Sequence, residues 1–448
     1  MQNQHVGVNS DVLWSRAERV LAGGPATLSK LPSRYPQGVS PKFLKRGFDA
    51  YVTDVDGHSY LDMVAALGPV LLGHRHGAVE RAVKAQIEEG LISATLPTAL
   101  EVEVAEMLTE IIPGAEMVRF ASNGADVTNA AIKLARCITG ATHVIFTGYH
   151  GGHDSYLATT DKSGGTLPVL KNYNHQFAWP NVAEVAKCAD ILQRIGENIA
   201  AIMVEVPPEP LSTSKEQTAE VLSEYLTIAR DCGALFILDE VVTGFRYAIG
   251  GAQEYYGITA DLACFSKAMA NGFPCAAITG PREIMRRFEG GEVFLSTTFG
   301  ANPIGLAACK ATIQALQKDG VHANLVHCGT MLQHKLASLI ESMRIPATLR
   351  GNFARMVIDW HDAPGRATKD ELRTLWLQET ISRGILFGVP IFPMTCWTDD
   401  IVDTIWFQSA LAMEAIAEVV RGDVSIQDAL HCPVITDVFQ RYNPGDNW

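Results

Sequence analysis

The run Leu235-Phe236-Ile237-Leu238-Asp239, with Phe265-Ser266-Lys267 following so that Lys267 stands 28 residues beyond Asp239, decides the reading of this chain. An unbroken apolar run that ends abruptly in Asp239 and Glu240 reads as a buried parallel strand whose first charges stand at its carboxyl end. Open α/β sheets bind ligands in the crevice outside those ends. After Lys267 the small-residue stretch from Ala268 to Pro274 turns the chain tightly and leaves room for a flat group. Several strand-helix units in series, from about 61 to 325, argue for a doubly wound, mostly parallel sheet.

A carboxylate and an amine on neighbouring strand ends suit pyridoxal 5′-phosphate (PLP): the amine condenses with the aldehyde, and the carboxylate keeps the ring nitrogen protonated. An arbitrary Asp and Lys at strand ends are ordinarily solvated or salt-bridged, so the surrounding residues must decide. The run Asp239-Glu240-Val241-Val242-Thr243-Gly244-Phe245-Arg246, with Lys267 beyond it, resembles the class III (subgroup II) aminotransferases of PLP fold type I, especially the glutamate-1-semialdehyde aminomutase-like branch. The resemblance covers nearly the whole chain. It implies an α/β large domain over 61–325, and a smaller α+β domain made of the N-terminal segment 1–60 and the C-terminal segment 326–448.

Composition sets the limits. The 448 residues are 47% hydrophobic and 19% charged, enough for a large core divided into more than one domain. A formal charge of −13 argues against nucleic acid or an anionic membrane as partner. Nine cysteines are scattered singly without a Cys-x-x-Cys pair, which reads as reduced thiols in a cytoplasmic protein. The polar N-terminus lacks a signal pattern, and no apolar window approaches the roughly 20 residues that span a bilayer. His74 and His76 lack a third ligand nearby, so no metal is expected.

Along the chain, Met117 to Phe120, the small-residue turn Ala121 to Asp126, and the apolar positions from Val127 to Ala135 read as strand, turn and helix. Free backbone N–H groups at a helix N-terminus make an anion site. By resemblance this is the phosphate-cradling turn, with Asn123, Gly124 and Ala125 at the phosphate. The family spelling is Asn-Ser-Gly-Thr-Glu-Ala; the departures here, with a hydroxyl lost at Ala125, point away from a housekeeping tetrapyrrole enzyme. Tyr149, after the strand Val144 to Phe146, matches the aromatic that covers the cofactor ring, while His150 orients by hydrogen bonding. Val241 would pack on the opposite ring face. Glu205, ending the run Ile199 to Val204, matches the acid at the cofactor's hydroxyl edge. The polar segment 155–179 is expected to be a loop and a lid over the site. The resemblance further assigns Arg34 to a substrate carboxylate and Thr298 to the phosphate of the partner subunit's cofactor, making a homodimer with shared active sites. The loop Phe387 to Trp397 carries no Arg or Lys and so offers no second cation for a dicarboxylate.

The implied chemistry is a ping-pong transfer between a small-molecule amino donor and an oxo acceptor, by way of pyridoxamine phosphate, with Lys267 as proton shuttle. The alternatives are an intramolecular aminomutase and a non-catalytic PLP-binding module; intact Asp239, Lys267 and Tyr149 count against the latter.

Overall fold

The computed structural model describes residues 8–177 and 198–435. Among the described residues, thirteen strands form three sheets. The first, β1 (Leu44–Phe48), β2 (Tyr51–Asp54) and β3 (Ser59–Asp62), is antiparallel, and β13 (Ile385–Leu386) joins β3 in parallel, pairing Ile385 with Leu61. The second holds β4 (Met117–Ala121), β5 (His143–Thr147), β6 (Asn174–Phe177), β7 (Ile199–Val204), β8 (Leu235–Asp239), β9 (Leu262–Phe265) and β10 (Ala276–Gly280), in the order β4-β10-β9-β8-β7-β5-β6. The third is the hairpin β11 (Ala347–Asn352) and β12 (Arg355–Trp360).

In the large sheet only β10 runs antiparallel to its neighbours; the other strands run parallel. Every residue of β7 is buried, as expected of a strand covered on both faces. On β8, Phe236 and Leu238 enter one core and Ile237 the other, the two-residue period of a strand between two layers. The helix Gly124–Thr139 covers the Ile237 face with Val127, Ala131 and Leu134. Helices Ala99–Ile111, Lys215–Asp231 and Pro303–Leu316 cover the other with Val104, Leu222 and Leu306. From β7 the chain steps to β8 and β9 in one direction, whereas β5 and β6 lie on the other side. The order reverses between β5 and β7, where such sheets bind ligands.

A separate core joins the first sheet to the C-terminal elements, with Val52, Leu61, Met63, Leu336, Trp376, Trp397 and Met413 in contact through helices Val321–Ser342, Lys369–Ser382 and Asp399–Arg421. Thr398 caps the last of these, its side chain accepting from the Ile401 N–H, with Asp399 and Asp400 in the first turn. The loop expected over 155–179 is corrected in part. Asp154–Leu157 is a helical turn, and Asn174–Phe177 is β6, a fully buried strand paired with β5. Its polar Asn-His-Gln sequence hid it, because an edge strand can satisfy polar side chains locally. Arg136 donates to Asn174, and Thr159 donates to Gln176. Residues 178–179 of that segment, like Cys188, lie outside the described residues. Among the described residues no helix is long and apolar enough to cross a membrane.

Candidate active site

Three loops leave the carboxyl ends of β5, β7 and β8 and meet. Asp239 closes β8 and is 2% exposed. Its Oδ1 accepts the Val241 N–H at 3.0 Å, and its Oδ2 lies 2.8 Å from His150 Nδ1. His150 Nε2 faces the Thr147 carbonyl at 3.0 Å and must donate there. The contact between Nδ1 and Asp239 therefore carries one further proton shared by the pair. A tilted contact with Phe146 and an edge contact with Tyr156 fix the imidazole plane.

Glu205, just past β7, is 3% exposed. One oxygen accepts the Tyr149 N–H at 2.8 Å, and the other takes Arg355 Nη1 at 2.8 Å. Tyr149 is 40% exposed, its ring set edge-on to Tyr156 at 5.5 Å. The turn before helix Gly124–Thr139 reaches the same place. Asn123 is its N-cap, accepting the Asp126 N–H and donating to the Asp126 carboxylate. The N–H groups of Gly124 and Ala125 have no partner within the helix. A Cβ at Gly124 would come within 2.8 Å of both Val241 methyls, and one at Gly151 within 2.6 Å of the Ala125 Cβ. Thr128 ties the turn to the β5 loop by donating to the His150 carbonyl at 2.8 Å.

Lys267 opens a helical turn two residues after β9, the parallel neighbour of β8, with φ 47. A left-handed backbone at a lysine is strained, and such strain collects at functional positions. Asn271, also left-handed, closes the turn and clamps it to the first part of the chain, accepting from Leu72 N–H and donating to the Gly73 carbonyl.

The residues singled out in the sequence thus divide. Tyr149 bonds Glu205, Val241 bonds Asp239 and packs on Gly124, Asn123 and Ala125 lie in the same turn as Gly124, and His150 links Asp239 to the Tyr149 loop; Lys267 follows the adjacent strand. Thr298 is solvent-exposed, between Phe294 and Phe299, which are 69% and 63% exposed. Arg34 ends the turn Pro32–Arg34 and lines a small cavity with Tyr35, Leu67, Arg373 and Val389. His74 is bonded to Asp62 at 2.9 Å. Sequence reasoning missed Arg355 and gave Arg246 no role. Arg355 carried a signal, a charge directly before the apolar run Met356-Val357-Ile358. Arg246 is fully buried; its guanidinium donates to the carbonyls of Gly68, Pro393 and Ala354 and lies over the Phe392 ring. Burial, with Arg355 nearby, pushes its pKa down to about 9. Glu240 is equally buried and is pushed up to about 7 by burial, although the N–H groups of Ala252 and Gln253 and the Thr243 hydroxyl hold its carboxylate.

Comparison with known proteins agrees with this geometry. The class-III aminotransferase family model matches residues 34–405. The chain is 32% identical over 397 residues to the glutamate-1-semialdehyde 2,1-aminomutase of Syntrophobacter fumaroxidans (strain DSM 10017 / MPOB), covering 85% of this chain and 90% of that protein. A transaminase with PLP bound superposes with a TM-score of 0.82 at 21% identity, over 94% of this chain and 100% of the other. An omega-transaminase from Sphaerobacter thermophilus gives 0.81 at 24% identity, over 93% and 98%. A turn built for an anion, a buried carboxylate and a strained lysine around one sheet crevice belong together because this chain is a member of the class-III aminotransferases, PLP-dependent transaminases of fold type I that act on a small-molecule amino donor and an oxo acceptor.

Proposed function

We propose that the chain is an intermolecular aminotransferase of a biosynthetic pathway, working as a cytoplasmic homodimer, with its cofactor held by the cluster at the ends of β5, β7, β8 and β9. The observation that carries this assignment is the buried Asp239, locked by His150 beside the strand that leads to Lys267. The cradle fits the group. Gly124 lets the turn pack directly on Val241, where a Cβ would clash, and the helix N-terminus offers amides to a dianion. When bound, PLP supplies an aldehyde and a ring that accepts electrons from the substrate. Asp239 holds a proton at the ring nitrogen, and the proton shared with His150 supports it. Tyr149 and Val241 sandwich the ring, Asn123, Gly124 and Ala125 hold the phosphate, and Glu205 stands at the hydroxyl edge. Lys267 Nζ is the amine that would hold the cofactor, and as a free amine it would move a proton at the substrate Cα. Arg34 takes a substrate carboxylate.

Thr298 reaches the partner's phosphate, a role supported by its exposure between two exposed phenylalanines. The eight described cysteines are all free thiols, which suits a reducing compartment. The separate cores support the division into 1–60, 61–325 and 326–448, although β3 and residues through Val70 pack with the C-terminal core, so we place the first boundary nearer Val70.

A second reading, an intramolecular aminomutase, is favoured by the 32% identical relative. The visible absorbance of the purified, PLP-loaded protein separates the two. A band that disappears with particular amino donors and returns with an oxo acid marks an intermolecular transaminase; a band indifferent to every external donor marks the mutase.

A further inference from the structure

The ion pair between Glu205 and Arg355 bridges parts of the chain 150 residues apart, and both side chains are nearly excluded from water, 4% and 3% exposed. Arg355 opens β12 on the C-terminal hairpin, whereas Glu205 stands at the sheet crevice. A buried pair is costly to desolvate, and an apolar pair of equal volume often stabilises a fold as well or better. The Arg355 Nε is buried without a hydrogen-bond partner, so the guanidinium is poorly matched to a purely structural role. What the pair does have is a connection onward. Glu205 Oε2 accepts the Tyr149 N–H, and Gly148, at φ 108, permits this approach, since a Cβ there would lie 2.9 Å from that oxygen. Arg246 and Tyr247, on the loop after β8, flank the guanidinium, and neither supplies a negative charge to compete with Glu205.

We propose that Arg355 is a positioning residue for the cofactor site: it keeps Glu205 ionised and turned so that Oε2 grips the Tyr149 backbone, setting the Tyr149 ring and the charge at the cofactor's hydroxyl edge from the C-terminal domain. The inference rests on the site assignment above. Without Arg355, Glu205 loses the cation that holds its Oε1, and a buried carboxylate that loses a counter-charge titrates higher. The test follows the visible absorbance of the PLP-loaded protein against pH for the unvaried chain, Arg355→Met, Arg355→Lys, Glu205→Gln and the double variant Glu205→Gln/Arg355→Met. Expected is a new titration step in Arg355→Met, absent from the unvaried chain, removed again in the double variant and suppressed by Arg355→Lys, whose ammonium restores the counter-charge. A folded Arg355→Met with the unvaried pH curve overturns the proposal, as does a step that survives in the double variant. If Arg355→Met does not fold, Glu205→Gln, which leaves the arginine in place, is expected to move the band; an unmoved band overturns the proposal. A protein that takes up no PLP refutes the site assignment itself, whereas normal uptake with unaltered pH curves refutes only the role of Arg355.

Discussion

Two buried polar regions lie within a few residues of each other in sequence and are held by different means. At the ends of β5, β7 and β8, side-chain charges meet side-chain partners: Asp239 with His150, and Glu205 with Arg355. At the seam a few residues further on, Arg246 and Glu240 are satisfied by backbone carbonyls and N–H groups and by one hydroxyl. Charges solvated only by dipoles bear the full effect of burial, hence Arg246 pushed down to about 9 and Glu240 pushed up to about 7. On the proposed assignment the first region presents charge to a ligand, whereas the second fastens loops. Substitutions in the first should remove chemistry from a folded protein, and substitutions in the second should loosen a protein whose chemistry is intact.

The largest expected effect is that of Lys267→Ala, a loss of roughly 10⁴-fold or more in turnover, because both the covalent anchor and the proton carrier disappear. Retained activity in a single-turnover assay would sink the site assignment. Asp239→Asn keeps the volume and removes the charge; kcat should fall about 10²- to 10³-fold with little change in the urea midpoint. Arg246→Met tests the other side of the comparison. It leaves the carbonyls of Gly68 and Pro393 buried without donors, at a cost of about 3 kcal/mol, read as a lower denaturant midpoint with near-normal activity in the folded fraction. A reversed pattern, with Asp239→Asn unfolding and Arg246→Met merely inactive, would erase the distinction.

The smallest effect lies away from both regions. His175 on β6 is stacked on His143, and burial, reinforced by His143, lowers its pKa to about 4. The folded value lies below the unfolded one near 6.5, so the unfolded chain takes up the proton first as pH falls. The stability from this group is complete above about pH 6.5 and is lost between there and pH 4, up to about 3 kcal/mol. Thermal melts of His175→Gln should show a shallower acid loss over that window.

How much of this was legible before folding varies with the residue. The strand ending at Asp239 could be read because four apolar residues and an abrupt acid are a local pattern. The strand β6 could not, since polar side chains at a sheet edge leave no apolar alternation to detect. The antiparallel direction of β10 was equally hidden, because the apolar run Ala276–Gly280 has the same composition whichever way it is threaded. Arg355 looked like an ordinary charge on a modest strand; its meaning depends on a partner 150 residues earlier.

By itself the sequence determined the strand-helix alternation, the acid and the lysine at neighbouring strand ends, and the glycine-containing turn at a helix start, because each is written in a few consecutive residues with a fixed chemical preference. Only the tertiary structure decided that His150 shares a proton with Asp239, that Arg355 holds Glu205, that Arg246 fastens Gly68 to Pro393, and that Arg34 lines a cavity with Arg373. Those partners are tens to hundreds of residues apart, and burial, which makes each pairing matter, exists only once the chain has folded.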